Sequence, residues 1–133
     1  MTFVLAQAGN ATGKDDIQKY FNDTACKVKA TTDPAQKREI LEKSLQTMSE
    51  TLDKVQSSPL ISEEDRAGIS YFKTNLQEKQ DELMGVNGYE RVADAQLNAF
   101  STYVVQDMEQ AEETVTISLV AALLIIIILI LVL

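Results

Sequence analysis

The sequence predicts an all-α fold: a small up-down bundle of three to four helices, whose last helix continues into a single C-terminal transmembrane helix. Apolar residues recur at steps of three and four along most of the chain, and both prolines fall between such runs. Residues 114–133 carry no charged side chain. We therefore divide the chain into an N-terminal segment (1–12), an acidic helical bundle (13–113) and a membrane helix (114–133).

The first predicted helix runs from about Gly13 to Ala30, and Thr12 and Asp15 have the spacing of a capping box at its start. Its apolar side chains share one helical face: Ile17, Phe21, Ala25 and Val28. We expect this helix to be the shortest and the least secure of the four. A three-helix bundle with this segment folded elsewhere is the structural alternative.

The second predicted helix begins at Pro34, because a proline loses no hydrogen bond at a first helical position. Asp33 precedes it as the N-cap, and Pro59 lies beyond its end. Its apolar residues follow one another at steps of four and three: Leu41, Leu45, Met48, Leu52 and Val55. This is the seam of a coiled coil, so we expect shallow-angle packing against a neighbouring helix.

The third predicted helix begins after Ser62 and ends at the glycine-containing segment 85–88. The same spacing continues along its inner face: Ile69, Phe72, Leu76 and Leu83. Lys79 and Gln80 interrupt this seam at the position where the next apolar residue would fall. We interpret them as a partly exposed polar layer; the alternative is that they set the helix register or face a partner.

The fourth predicted helix begins near Tyr89, and the chain holds no proline or glycine from there to Leu133. We expect one continuous helix of about 45 residues, roughly 65–70 Å long at 1.5 Å per residue, that passes from the bundle into the membrane. Because the connections are short, neighbouring helices are expected to run antiparallel. Six residues are predicted to form the bundle core: Leu45, Leu52, Phe72, Leu76, Leu97 and Phe100.

Residues 114–133 are aliphatic apart from three hydroxyl side chains. A hydrocarbon core of ~30 Å requires about 20 helical residues, so this segment predicts one membrane crossing. A buried core helix or a hydrophobic strand in a filament is the alternative. Small side chains usually mark close contacts between helices in lipid. We therefore predict a membrane-helix packing site at Ser118, Ala121 and Ala122.

The charges around this segment predict a single-pass membrane protein whose helical domain is extracytoplasmic. Lys and Arg usually flank the cytoplasmic side of a membrane helix. Here no basic residue follows Arg91, whereas four acids lie just before the segment: Asp107, Glu109, Glu112 and Glu113. Near the start of the chain, residues 6–8 (Ala-Gln-Ala) resemble a signal-peptide cleavage site, as a leader remnant or by chance.

The composition excludes most catalytic chemistry. The net charge of −8 argues against nucleic acid as a partner. The chain has no histidine, so catalytic zinc sites and Ser-His or Cys-His nucleophiles cannot be assembled, and it has no phosphate-binding glycine loop. The lone cysteine, Cys26, is interpreted as a small buried side chain, with a bridge between copies or lipidation as the alternative. We predict a non-enzyme without catalytic residues, cofactor or metal site.

These features favour a membrane-anchored structural or assembly subunit that acts through helix–helix association. Its expected partners are membrane lipid and either other copies of itself or subunits of a membrane complex. One alternative is a coat or filament protein in which the hydrophobic helices of many copies form a shared core.

The other alternative is a cytosol-facing, tail-anchored adaptor or fusion protein. Helical seams followed by a C-terminal hydrophobic segment are similar in layout to SNARE-type fusion proteins. The resemblance covers the architecture only. SNARE motifs run longer without a break and carry basic residues at the membrane face, where this chain carries acids.

Overall fold

The computed structural model describes the backbone of residues 2–115 and 117–132, and within them the side chains from Asp16 onward other than that of Leu119. The regular elements of these ranges are all helical: α1 Thr2–Ala30, α2 Pro34–Gln56, α3 Glu63–Met84, a 3₁₀ turn at Asp94–Gln96, α4 Leu97–Thr114 and α5 Leu119–Val132. The prediction of an all-α helical bundle is confirmed.

Helices α1 to α4 form a ring in which α2 and α4 each pack between α1 and α3. The Tyr20 hydroxyl of α1 donates to the Ser44 carbonyl of α2, and the Lys37 ammonium donates to the Val28 carbonyl. The partner residue number in α2 falls as that in α1 rises, so these two helices run antiparallel. The short connections 31–33 and 57–62 reverse the chain direction. After this ring is complete, α5 packs against α1 and α2.

The hydrophobic core runs along the inside of the ring and continues under α5. The six residues expected in the core are at most 6% exposed: Leu45, Leu52, Phe72, Leu76, Leu97 and Phe100. Phe72 meets Phe21 of α1 edge-to-face, with ring centroids 6.4 Å apart. Four α5 residues belong to the same continuous core: Ala121, Ala122, Ile125 and Leu129.

The two ends of α3 follow from local sequence. At its start, the Ser62 hydroxyl accepts a hydrogen bond from the Asp65 amide at 3.1 Å, which satisfies one otherwise unpaired donor. At its end, Gly85 has a φ of 75°. A Cβ at Gly85 would lie 2.5 Å from the Arg91 amide nitrogen, so glycine is required there by both conformation and space.

Arg38 of α2 fastens the connection between α3 and α4 to the bundle. Its guanidinium donates to the carbonyl of Leu83 at 3.1 Å, to the carbonyl of Val92 at 2.7 Å and to the carboxylate of Asp94 at 2.9 Å. Arg38 is 8% exposed, and a buried charge is tolerated only when it is paired in this way. Arg38 therefore holds both ends of the connection, because it binds Leu83 before it and Val92 and Asp94 at its far end.

The first helix is the longest and not the shortest, so that prediction is wrong. α1 begins at Thr2 and extends through Gly9 and Gly13 to Ala30. A glycine inside a helix costs only about 1 kcal/mol and does not end it, whereas the chain has no proline before Pro34. The expectation for Cys26 is also wrong, because this side chain is exposed on α1.

The expected continuous helix from Tyr89 to the C-terminus is wrong as well. α4 begins at Leu97 and ends at Thr114, and Val115 is extended with φ −111° and ψ 154° before α5 begins. Residues 114–117 read Thr-Val-Thr-Ile, four β-branched side chains in succession that lower helix propensity. This run is the local signal for the break.

The chain therefore enters α5 as a separate helix of 14 residues. No helix in the described ranges is both long enough and apolar enough to cross a membrane.

Lys79 is buried, not partly exposed as expected, with 1% of its surface accessible. Its ammonium lies 2.6 Å from the Asp107 carboxylate of α4, 3.3 Å from Glu82 and 4.6 Å from the centre of the Tyr103 ring. Burial alone would lower the pKa of Lys79, but its contacts with Asp107 and Tyr103 and the charge of Glu82 outweigh burial and raise the pKa. The interruption in the seam thus places a buried ion pair between α3 and α4.

Removing the Asp107 carboxylate that pairs with Lys79 is expected to destabilise the bundle more than removing the Lys79 ammonium itself. Asp107→Asn leaves the buried ammonium with the more distant Glu82 carboxylate and the Tyr103 ring, and we expect the free energy of unfolding to fall by about 3 kcal/mol. In Lys79→Met, water can solvate Asp107, whose side chain is 30% exposed, and the expected loss is under ~1 kcal/mol.

Urea unfolding of the natural chain, Asp107→Asn and Lys79→Met measures which variant loses more unfolding free energy. Asp53→Asn is the matched control, because the Asp53 side chain is 59% exposed in its pair with Lys73 and its loss is expected to cost under ~1 kcal/mol. A greater loss for Lys79→Met than for Asp107→Asn would contradict the prediction.

Candidate functional site

The candidate site is α5, which is apolar on every face. Its sequence from Leu119 to Val132 contains no polar residue. The inner face is buried, and large aliphatic side chains cover the outer face with 39% to 78% of their surface exposed: Val120, Leu123, Ile127, Ile130, Leu131 and Val132. A helix on the surface of a globular protein normally turns polar residues outward. The outer face of α5 is therefore an exposed apolar surface.

The inner face of α5 rests on α1 and α2. Ala121 and Ala122, two of the residues predicted to pack a membrane helix, are 0% and 2% exposed there. Their short side chains allow the α5 backbone to approach the bundle closely. The small-residue patch thus makes a helix contact within the chain in this structure.

Ser118, the third predicted packing residue, joins the start of α5 to α3. Its amide donates to one carboxylate oxygen of Asp65 at 2.9 Å, and its hydroxyl donates to the other at 2.6 Å. The same hydroxyl accepts from the Ala121 amide at 3.2 Å, while the Ser118 carbonyl accepts from the Ala122 amide at 3.0 Å. Ser118 is therefore the N-cap of α5, and Asp65 holds that cap in place.

The Asp65 carboxylate lies at the N-termini of two helices. It occupies the first turn of α3, where Ser62 is its capping partner, and it meets the start of α5 through Ser118. Both helix ends carry a partial positive charge that favours an anion. Burial tends to raise the pKa of Asp65, but the hydrogen bonds from Ser118 and Ser62 outweigh it and lower the pKa below 3.8.

A pocket lies between α1 and α2, with a volume of about 290 Å³. Its hydroxyl groups bond one another and the backbone: Tyr20 donates to the Ser44 carbonyl at 2.7 Å, and Thr24 and Ser44 share a bond of 2.6 Å. Burial raises the pKa of Tyr20, and its hydrogen bonds to Ser44 and Thr47 oppose the rise. These polar groups join two helices, and they do not form a nucleophile with a base.

The described residues contain no group of three acidic, cysteine or histidine side chains that could hold a metal ion. The acidic first turn of α3 includes Glu63 and Glu64, which are exposed, and Asp65, which is engaged with Ser118. The candidate site therefore consists of the apolar outer face of α5 and the hydrogen bonds between Asp65 and Ser118 at the N-terminal end of that helix.

Asp65 is the residue that the sequence reasoning missed. From the sequence it is a first-turn acid of the third helix, one of many that favour a helix N-terminus. Its contact with Ser118 spans 53 positions of the chain, and no periodicity signals a pairing at that distance. The β-branched run at 114–117 marked the break in the helix but not its partner.

Comparison with known proteins gives no match at any level: no family model fits the sequence, and no curated protein or solved structure is significantly similar to the chain.

Removing the Ser118 hydroxyl is expected to destabilise the chain in a pH-dependent way. Because the folded-state pKa of Asp65 is depressed, its stabilising contribution is fully present above about pH 3.8 and is lost as the pH falls through the lower, folded value. Ser118→Ala is expected to cost about 1–3 kcal/mol at pH 7.

The difference in unfolding free energy between the natural chain and Ser118→Ala should therefore shrink as the pH falls below 3.8. Ser70→Ala, on the exposed face of α3, is the control. Its effect on the unfolding free energy should not vary between pH 7 and about pH 3. A Ser118→Ala effect that is constant from pH 7 to about pH 3 would contradict the role of Asp65 as the charged partner.

Proposed function

We propose that this chain is a membrane-attached structural or assembly subunit. Its C-terminal segment binds lipid, and its acidic bundle offers helix surfaces to other copies or to subunits of a membrane complex. The observation that carries the proposal is the outer face of α5, six large aliphatic side chains exposed on a helix without a polar residue.

The chemistry of that face favours lipid over a protein partner. The centres of protein–protein interfaces are enriched in Tyr, Trp, Phe, Met and Arg. The outer face of α5 has none of these and consists of Val, Leu and Ile alone. Burial in any apolar environment stabilises such a surface, but the surface has no group that would select one particular protein. A hydrocarbon phase meets that requirement without specific contacts.

The charge distribution indicates how the chain approaches a membrane. All 20 acidic and all 12 basic residues precede residue 114, so the net charge of −8 belongs to the bundle. Anionic headgroups repel such a domain. Attachment therefore rests on apolar burial, and it should persist at high salt, which weakens electrostatic attraction but not the hydrophobic effect.

We propose a single crossing by residues 114–133 as the attached state. This uncharged stretch has 20 residues, and about 20 helical residues span a hydrocarbon core of ~30 Å. The small residues Ser118, Ala121 and Ala122 are then available for close contact with another membrane helix. In this state the bundle is extracytoplasmic, because no Lys or Arg follows Arg91.

The outer face of α5 also supports one competing function, a coat or filament in which many copies share an apolar core. The two functions differ in what covers α5. Self-association alone gives large particles in the absence of lipid, whereas lipid attachment gives protein that moves with vesicles.

Vesicle flotation is the decisive measurement. The full chain is expected to float with phosphatidylcholine vesicles at low and at high salt, and a chain that ends at Glu113 is expected to stay at the bottom of the gradient. Ile127→Glu places a charge in the outer face of α5 and should weaken binding by about tenfold or more. Gln106→Glu, on the exposed surface of α4, adds the same charge and should bind as the natural chain does.

Equal flotation of the full chain and the chain ending at Glu113 would overturn the proposal. If the full chain forms large particles that do not float with added vesicles, the coat or filament function would be favoured. Binding that requires anionic lipid and disappears at high salt would contradict attachment through α5.

Orientation gives a separate test. Protease added to intact cells is expected to digest residues 13–113, because the acidic bundle is proposed to lie outside the cytoplasm. Its protection in intact cells, with digestion only after lysis, would reverse the orientation and favour the cytosol-facing, tail-anchored alternative.

A further inference from the structure

Within the proposed function, on which this inference rests, we infer that α5 is a displaceable helix with two positions. In the docked position it lies on α1 and α2, as in this structure, and in the released position residues 114–133 form one membrane-crossing helix. The contact between Asp65 and Ser118 is the latch that holds the docked position.

The lengths of the two helices separate the two positions. Docked α5 has 14 residues, or about 21 Å at 1.5 Å per residue, which is shorter than a hydrocarbon core of ~30 Å. Adding residues 114–118 and 133 gives the uncharged stretch of 20 residues, or about 30 Å. A crossing therefore requires the bend before α5 to become helical, and in a continuous helix the Ser118 amide would bond to the carbonyl four residues earlier and no longer to Asp65.

The segment at the bend can make this change in lipid. Val115 is extended in the docked position, and four consecutive β-branched residues make helix marginal there in water. Inside a bilayer no water is present to satisfy extended backbone groups, so the helix becomes the only solution for a single segment. Val115, which is extended in the docked position, is therefore expected to join the helix in the released position.

In the docked position only one face of α5 is buried. Ala121, Ala122, Ile125 and Leu129 are buried by the bundle, while the outer face stays in water. Lipid buries both faces at once, so a bilayer binds the released helix better than the docked one. A ligand shifts an equilibrium by this difference in affinity between two states, and here the bilayer is the ligand.

The latch holds α5 in the docked position through hydrogen bonds, which can break and form again. Asp65 is 4% exposed and receives both the amide and the hydroxyl of Ser118, at the N-termini of two helices. Glu63 and Glu64 on the same turn are exposed and do not replace it. Breaking the latch frees the cap of α5 and leaves Asp65 to its other partner, Ser62.

A reversible cross-link tests the latch in the full chain. Cys26→Ser removes the natural thiol, and Asp65→Cys with Ser118→Cys places two thiols where side chains now touch. The chain has no tryptophan, so Ile127→Trp on the exposed face of α5 supplies a single tryptophan, which can be excited apart from the tyrosines. Insertion is measured as quenching of this tryptophan by brominated phosphatidylcholine vesicles.

The reduced chain is expected to insert, and the oxidised chain is expected to insert at least about tenfold more slowly. Equal insertion of both forms would overturn the latch and leave membrane attachment standing. No insertion of either form, with no flotation of the natural chain, would overturn the proposed function itself.

Point variants give a second measure that does not depend on a disulfide. Asp65→Ala in the Ile127→Trp chain should insert at least about tenfold faster, because it removes two hydrogen bonds to a charged group. Glu64→Ala removes the same charge from an exposed position on the same turn and should leave the rate unchanged. Equal rates for Asp65→Ala and Glu64→Ala would show that Asp65 does not hold the docked position.

Discussion

The Asp65 carboxylate joins two helix starts that lie 53 positions apart in the chain. It belongs to the first turn of α3, and it receives the amide and hydroxyl of the residue that caps α5. Each helix end supplies unpaired donors and a partial positive charge, and one anion satisfies both. Because this contact sets where α5 begins, it also sets the bend after α4 and the face of the bundle on which α5 rests.

Buried charge has a second use in this acidic bundle, where it aligns helices. Lys79 pairs α3 with α4 through Asp107, and Arg38 ties α2 to the connection that follows α3. An apolar seam of leucines tolerates sliding by a turn, whereas a buried cation has only one position in which its partners are within reach. These polar contacts therefore favour the packing in which the helices are found.

The two faces of α5 explain why a helix without a polar residue is found on a bundle at all. The bundle covers its inner face, where Ala121 and Ala122 permit close approach, and water meets the outer face. An apolar helix gains from contact with any apolar phase, because the hydrophobic effect is non-directional. The same property that seats α5 on α1 and α2 makes a bilayer a competing environment for it.

The sequence by itself determined the helical class, the bounds and inner faces of α2 and α3, and the core positions of residues such as Leu52 and Phe100. These follow from local rules: a proline at a first helical position, a serine cap, a glycine stop and a repeat of three and four. Tertiary structure alone decided that Lys79 is buried and that α5 rests on the bundle. Periodicity shows which face of a helix is apolar, but it does not show whether lipid or protein covers that face. Only the fold brings Asp65 to Ser118, because the contact joins residues far apart in the chain.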